Sequence, residues 1–181
     1  MTKGPGQDPG YDASQDAGQG TGLAEMALPP PPENISVSVL QARLRQMFLE
    51  LAPQPAMAVA IAEIGDFIDG VYMTLHARLG GSMFTEEWIW EGFEAADTVR
   101  EVVAEAMTGA MTHEKARCVR IGTVEDMAPA IVAVPIYDVH YELAGAVGVV
   151  VGPCDRDKAL GVLSLFEGIV GFLSMVASEP A

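Results

Sequence analysis

The stretch VPIYDVHYELAGAVGVVVGPC, from Val134 to Cys154, constrains the fold more than any other part of the chain. With the residues just before it, it forms two apolar segments, AIVAVPIY at 130–137 and LAGAVGVVVG at 143–152, around the polar centre DVHYE. Neither segment approaches the roughly 20 apolar residues that a membrane-crossing helix needs. Rich in Val and Ile, they read as two core strands joined by a turn. Pro135 donates no N–H and fits a strand edge. Gly145 and Gly148 fit places where another backbone or element comes close.

The rest of the chain supplies elements to pack around that pair. ISVSVLQARLRQMFLEL at 35–51 carries Val37, Leu40, Leu44, Met47 and Leu51 at helical spacing, and Pro53 and Pro55 stop it. AMAVAIAEIGDFID at 56–69 resumes as a second helix with Gly70 as its C-terminal cap. VYMTLHARL at 71–79 changes to period two: Val71, Met73, Leu75, Ala77 and Leu79 face one way, Tyr72, Thr74, His76 and Arg78 the other. Gly80-Gly81 supplies a turn. A very short strand near 82–84 and then a long helix to about 111 are expected, with Thr85 as N-cap and Glu86 and Glu87 in its first turn. ARCVRIG at 116–122 reads as another strand, and 157–177 as a closing helix capped by Asp155 or Asp157. The order predicts an α/β (α+β) domain, an antiparallel sheet with helices packed on its faces.

Residues 1–34, rich in Gly, Pro and Asp and ending in LPPPPEN, read as a disordered tail, and 35–181 as the folded domain. The tail lacks the basic start and apolar run of a secretory signal. The formal net charge is −15 over 181 residues. That argues against nucleic-acid or anionic-membrane binding, which need clustered Lys and Arg, and leaves room for a basic protein partner. No membrane span is expected: in the most apolar helix, 159–178, Glu167 sits at the centre and no aromatic or basic anchor follows. Cys118 and Cys154 fit no zinc spacing and no CxxC pair, and read as reduced thiols of a cytoplasmic protein.

AVPIYDVHYELAGAVGVVVG followed at once by an amphipathic helix resembles the last hairpin and helix of GAF domains, with Val134-Pro135-Ile136 and Gly145-Ala146-Val147-Gly148-Val149 in the family's strand positions. AMAVAIAEIGDFIDGVYMTLHARLGG is similar to the first GAF helix and strand. The likeness spans roughly 36–178 and implies a single GAF-like domain with its terminal helices on one face. Roadblock and longin proteins share a similar element order and are the rival families. No NKxxxF-type cyclic-nucleotide signature and no bilin-attachment cysteine is present. The resemblance therefore implies a non-catalytic sensory or regulatory module for a small molecule or protein partner, with no cofactor identified. Its pocket would lie over Tyr72, Thr74 and His76, roofed by the long helix and the loop 122–129, with Cys118 and His140 also offered to a ligand. One alternative is an adaptor of roadblock or longin type acting only through interfaces. Another is a thiol-dependent enzyme resembling GAF-fold methionine sulfoxide reductases, which would need an exposed, low-pKa cysteine.

His140 lies beside Asp138 and Glu142, but closely spaced turn residues rarely converge on one ion, so no metal site is expected. Glu87, Glu91, Glu94, Glu101 and Glu105 would form one acidic stripe on the long helix. The closing helix carries Gly161, Ser164, Gly168, Gly171, Ser174 and Ser178 along one side. Such a stripe lets a second backbone come close, and it predicts either tight packing on the sheet or the seam of a homodimer, joined by residues 37–51.

Overall fold

The computed structural model describes residues 35–121 and 127–178, so the tail 1–34 lies outside the described residues. Nine elements follow in order: α1 Val37–Glu50, α2 Pro53–Phe67, β1 Gly70–Leu79, β2 Ser82–Ile89, α3 Asp97–His113, β3 Arg117–Arg120, β4 Ala128–Tyr137, β5 Leu143–Cys154 and α4 Arg156–Ser178. The strands form one sheet in the order β2-β1-β5-β4-β3, each neighbouring pair antiparallel. The two apolar runs at its centre, β4 and β5, are covered on both faces, which is why nearly every residue in them is buried.

Helices α1, α2 and α4 cover one face. Leu40, Leu44, Met57, Ile61, Ile64, Phe166, Ile169 and Leu173 pack with Met73, Leu75, Val132, Val134, Val147 and Val149. Helix α3 covers the other face over β4 and β5, through Val99, Val103, Met107 and Ala110 on Ile131, Ala133, Ala146 and Val150. It can lie flat there because β5 has a glycine beneath it: a Cβ on Gly148 would stand 2.6 Å from a Val103 methyl and 3.0 Å from Met107 Cγ. The β1–β2 turn is closed by Gly80 and Gly81, both at positive φ (54° and 81°), the conformation that two-residue hairpins favour.

Several expectations are corrected. The αL residue that ends α2 is Asp69 (φ 56°), while Gly70 already opens β1. Val71 packs with the α3 face beside Tyr72, because a bulge between Gly70 and Tyr72 shifts the register against β5. The strand near 82–84 runs on to Ile89, so Thr85, Glu86 and Glu87 lie in β2, and α3 starts at Asp97 with Ala96 as its cap. The acidic stripe is therefore not one helix face: Glu87 is on β2, Glu91 and Glu94 are in the connection, and only Glu101 and Glu105 are on α3. For α4, Asp155 is the cap, its carboxylate accepting the Lys158 N–H at 2.7 Å.

Candidate functional site

The period-two pattern of β1 puts Tyr72, Thr74 and His76 side by side on the sheet face that α3 shares. Tyr72 is buried, its hydroxyl donating to Glu87 at 2.9 Å, and Arg100 on α3 donates to the same carboxylate oxygen at 2.8 Å. Burial, then the Glu87 carboxylate, push the Tyr72 phenol up to about 12. The Arg100 hydrogen bond holds Glu87 below the usual carboxylate range. Thr74 donates to the Glu86 carbonyl at 3.2 Å, and His76 Nδ1 lies 3.1 Å from the Thr85 hydroxyl. These polar groups answer one another across the β1–β2 pair and tie β2 to α3.

Cys118 and His140 are not brought to that cluster. Cys118 pairs with Val132 and lies on the opposite face, among residues packed under α4. His140 is exposed in the β4–β5 turn, where Asp138 accepts the backbone N–H groups of His140 (2.8 Å) and Glu142 (3.0 Å). Those bonds, Glu142 first, hold the Asp138 carboxyl below its ordinary value, and they commit it to shaping the turn. Among the described residues no group of three or more His, Cys, Asp or Glu is placed to hold a metal ion. Part of the loop expected to roof the pocket, 122–126, lies outside the described residues.

The two thiols are poor nucleophiles. Cys154 is fully buried, and burial raises its pKa. Cys118 is half-buried and is raised by burial and then by the neighbouring Cys154. Strand β4 separates theirs. Two strand spacings come to about 9–10 Å, beyond the roughly 7 Å between Cα atoms that a disulfide can bridge.

A concavity among the described residues lies elsewhere. A groove of about 780 Å³ runs between the outer half of β4 and α4. One wall is Val134, Pro135, Ile136 and Tyr137, continued by Asp138, Val139 and Tyr141; the other is Leu163, Glu167, Val170, Gly171, Ser174 and Met175. Residues 114–116 close one end. It exists because β3 is only four residues long and pairs with 130–133, leaving the β3-side edge of β4 unpaired from Val134 onward while β5 still pairs its other edge. Ser174 donates to the Tyr137 carbonyl and Tyr137 Oη to the Glu114 carbonyl, so these wall groups are already paired.

The outward side of α4 is also open. A Cβ built on Gly161, Gly168 or Gly171 would meet nothing within 4 Å, and Leu160 and Met175 beside them are 46% and 44% exposed. The three glycines of the stripe do not pack on the sheet, whereas Ser174, farther along it, is buried and bonds to β4. Helix α4 is long and apolar enough to cross a membrane, but its inner side, Val162, Phe166, Ile169 and Leu173, is part of the core.

No protein-family model matches the chain, and no curated protein matches it. Solved structures do. The nlh2 GAF domain of A. aeolicus in an inactive state superposes with a TM-score of 0.55 at 10% identity, over 76% of this chain and 92% of that one. The fold is GAF-like. The GAF domain of an Acinetobacter phosphoenolpyruvate-protein phosphotransferase gives 0.51 at 11% identity, over 80% of this chain and 95% of its own. The reduced form of fRMsr of Staphylococcus aureus also gives 0.51 at 11%, over 82% and 97%. At such identities the likeness is one of fold, and function rests on this chain's own residues. The GAF-like sheet with its terminal helices together on one face matches the resemblance read from the sequence.

The groove and the Tyr72–Glu87–Arg100 cluster were not legible as sites in the sequence. Pro135 inside an apolar strand and the shortness of RCVR were the available signals for the groove. Nothing local marked Glu87 as the partner of Tyr72, because its strand imitates a helix start.

Proposed function

We propose that the protein is a non-catalytic regulatory module of GAF-like fold that works as a homodimer joined through α4, with α1 beside it. The observation that carries this reading is the open side of α4. Only 44% of its most apolar 18-residue window is buried. Its exposed side combines Leu160 and Met175 with three glycines where an added Cβ would meet nothing of the monomer within 4 Å. Val39 and Leu49 of α1 add exposed apolar surface, at 46% and 77%. Apolar surface of this kind marks an interaction site, and small residues let a second helix approach closely. Regulation would be exerted through the arrangement of these terminal helices, biased by a small molecule or a protein partner.

The raised thiols, Cys154 buried and Cys118 half-buried, weigh against the thiol-dependent alternative. An adaptor acting only through interfaces is the remaining alternative, and the groove beside α4 favours a ligand-responsive module over it. Light scattering on the full chain tests the pairing. A dimer that becomes a monomer in Gly168→Leu supports it, and a wild-type monomer at concentrations on the order of tens of micromolar removes it.

A further inference from the structure

We propose that the groove between the outer half of β4 and α4 binds a small amphipathic cation: an apolar body carrying one amine or ammonium group. It does not rest on the homodimer: the groove borders the proposed seam at Gly171 and Met175, but Gly161, Ser164 and Gly168 do not line it. It also lies on the opposite face of the sheet from Tyr72, Thr74 and His76.

The volume and lining set the first part of the ligand's chemistry. About 780 Å³ falls within the range of small-molecule sites. Val134, Ile136, Leu163 and Val170 supply apolar walls, while the Ser174 hydroxyl and the Tyr137 phenol are paired within the wall. Such walls reward an apolar body and offer few free hydrogen bonds.

The edge of β4 is a poor template for an added strand. The Ile121 N–H donates to the Pro129 carbonyl at 2.8 Å, so positions 129, 131 and 133 turn their backbone groups toward β3. Pro135 takes the next such position, where β3 has ended, and it has no N–H to offer a further strand. The gap is wide enough for a side chain or small molecule and poorly equipped for a peptide backbone.

The rim sets the charge. Glu114, Asp138 and Glu167 face the groove with Lys115 as the single cation among its lining residues, on a chain of net charge −15. Asp138 is held ionised by the turn's N–H groups. Tyr141, 89% exposed at the mouth, offers a ring face to a cation. A carboxylate or phosphate would meet net repulsion here.

The test is an NMR titration of isotope-labelled full-length protein at neutral pH with octylamine and, separately, octanoate, both below their micellar concentrations. The two share an apolar chain and differ in charge. Saturable shifts confined to 134–141 and 163–175 are expected with octylamine, with octanoate about tenfold weaker. Glu167→Gln should weaken octylamine about threefold, the scale of an exposed ion pair, and leave octanoate no weaker. Gly171→Leu should block both; since its Cβ meets open space, the fold should survive. Equal binding of the two probes, no saturable shifts, or shifts centred on the Tyr72 face would each overturn the proposal. So would groove shifts that follow protein dilution and not octylamine, which would make the groove a seam between copies.

Discussion

Replacing Gly161, Gly168 and Gly171 by alanine together is expected to stabilise the isolated monomer while weakening the dimer. Glycine in a helix interior is about 0.8–1 kcal/mol less favourable than alanine, chiefly through backbone entropy. At each of the three positions an added Cβ meets nothing within 4 Å, so no steric cost offsets that gain. If the sites are additive, the monomer gains about 2.5–3 kcal/mol. For a chain of this size, 1 kcal/mol moves Tm by about 2–4 °C, so the triple variant should melt about 5–12 °C higher when dilute. At a two-helix seam the same methyl groups hold the backbones apart. The dimer should therefore dissociate at lower concentration, and the gain in Tm should shrink as concentration rises. Thermal melts across a concentration series, with sedimentation velocity on the same samples, read both effects. A lower Tm in the dilute variant would refute the reasoning, because these glycines would then be packed in the monomer. A higher Tm with unchanged association would show that they serve no seam.

Other expectations bear on parts of the account away from α4. Gly148→Val should cost about 1–3 kcal/mol in urea unfolding as an overpacked contact, because even a Cβ there crowds Val103 and Met107. In an ultraviolet titration of tyrosinate, a late component near pH 12 should vanish in Tyr72→Phe. In Glu87→Gln it should shift down but stay above the ordinary tyrosine range, since burial is its larger cause. Because the folded pKa is raised, the neutral phenol's contribution to stability is complete below the unfolded value and is lost as pH rises through about 12. Both thiols should alkylate slowly in the native protein at neutral pH and quickly once unfolded, Cys154 the slower, as followed by intact-mass spectrometry.

Much of the fold was written in hydrophobic periodicity. β1 alternates cleanly because its Met73–Leu79 side enters the helical core and its Thr74–Arg78 side does not. β4 and β5 are apolar throughout because helices cover both faces. β2 misled for a physical reason. It is an edge strand with Met83, Thr85, Glu87 and Ile89 exposed, so a threonine followed by two glutamates looked like a helix cap. The Val71 bulge leaves no mark in the alternation. The groove depends on where β3 stops pairing with β4, a property of tertiary register that no local pattern carries. By contrast, the open stripe on α4 was visible as Gly161, Ser164, Gly168 and Gly171. The sequence could not say whether that stripe met the sheet or solvent, and the structure leaves its glycines open while Ser174 turns inward.

Sedimentation equilibrium of the full chain beside Gly168→Leu tests the central claim most directly. A Cβ there meets nothing of the monomer within 4 Å, so the substitution is aimed at what approaches from outside. The account expects a wild-type mass of twice the 19.1 kDa chain, and a variant mass of one chain with an unchanged circular dichroism spectrum. A wild-type mass of one chain throughout the micromolar range, or a variant that remains a dimer, would contradict it.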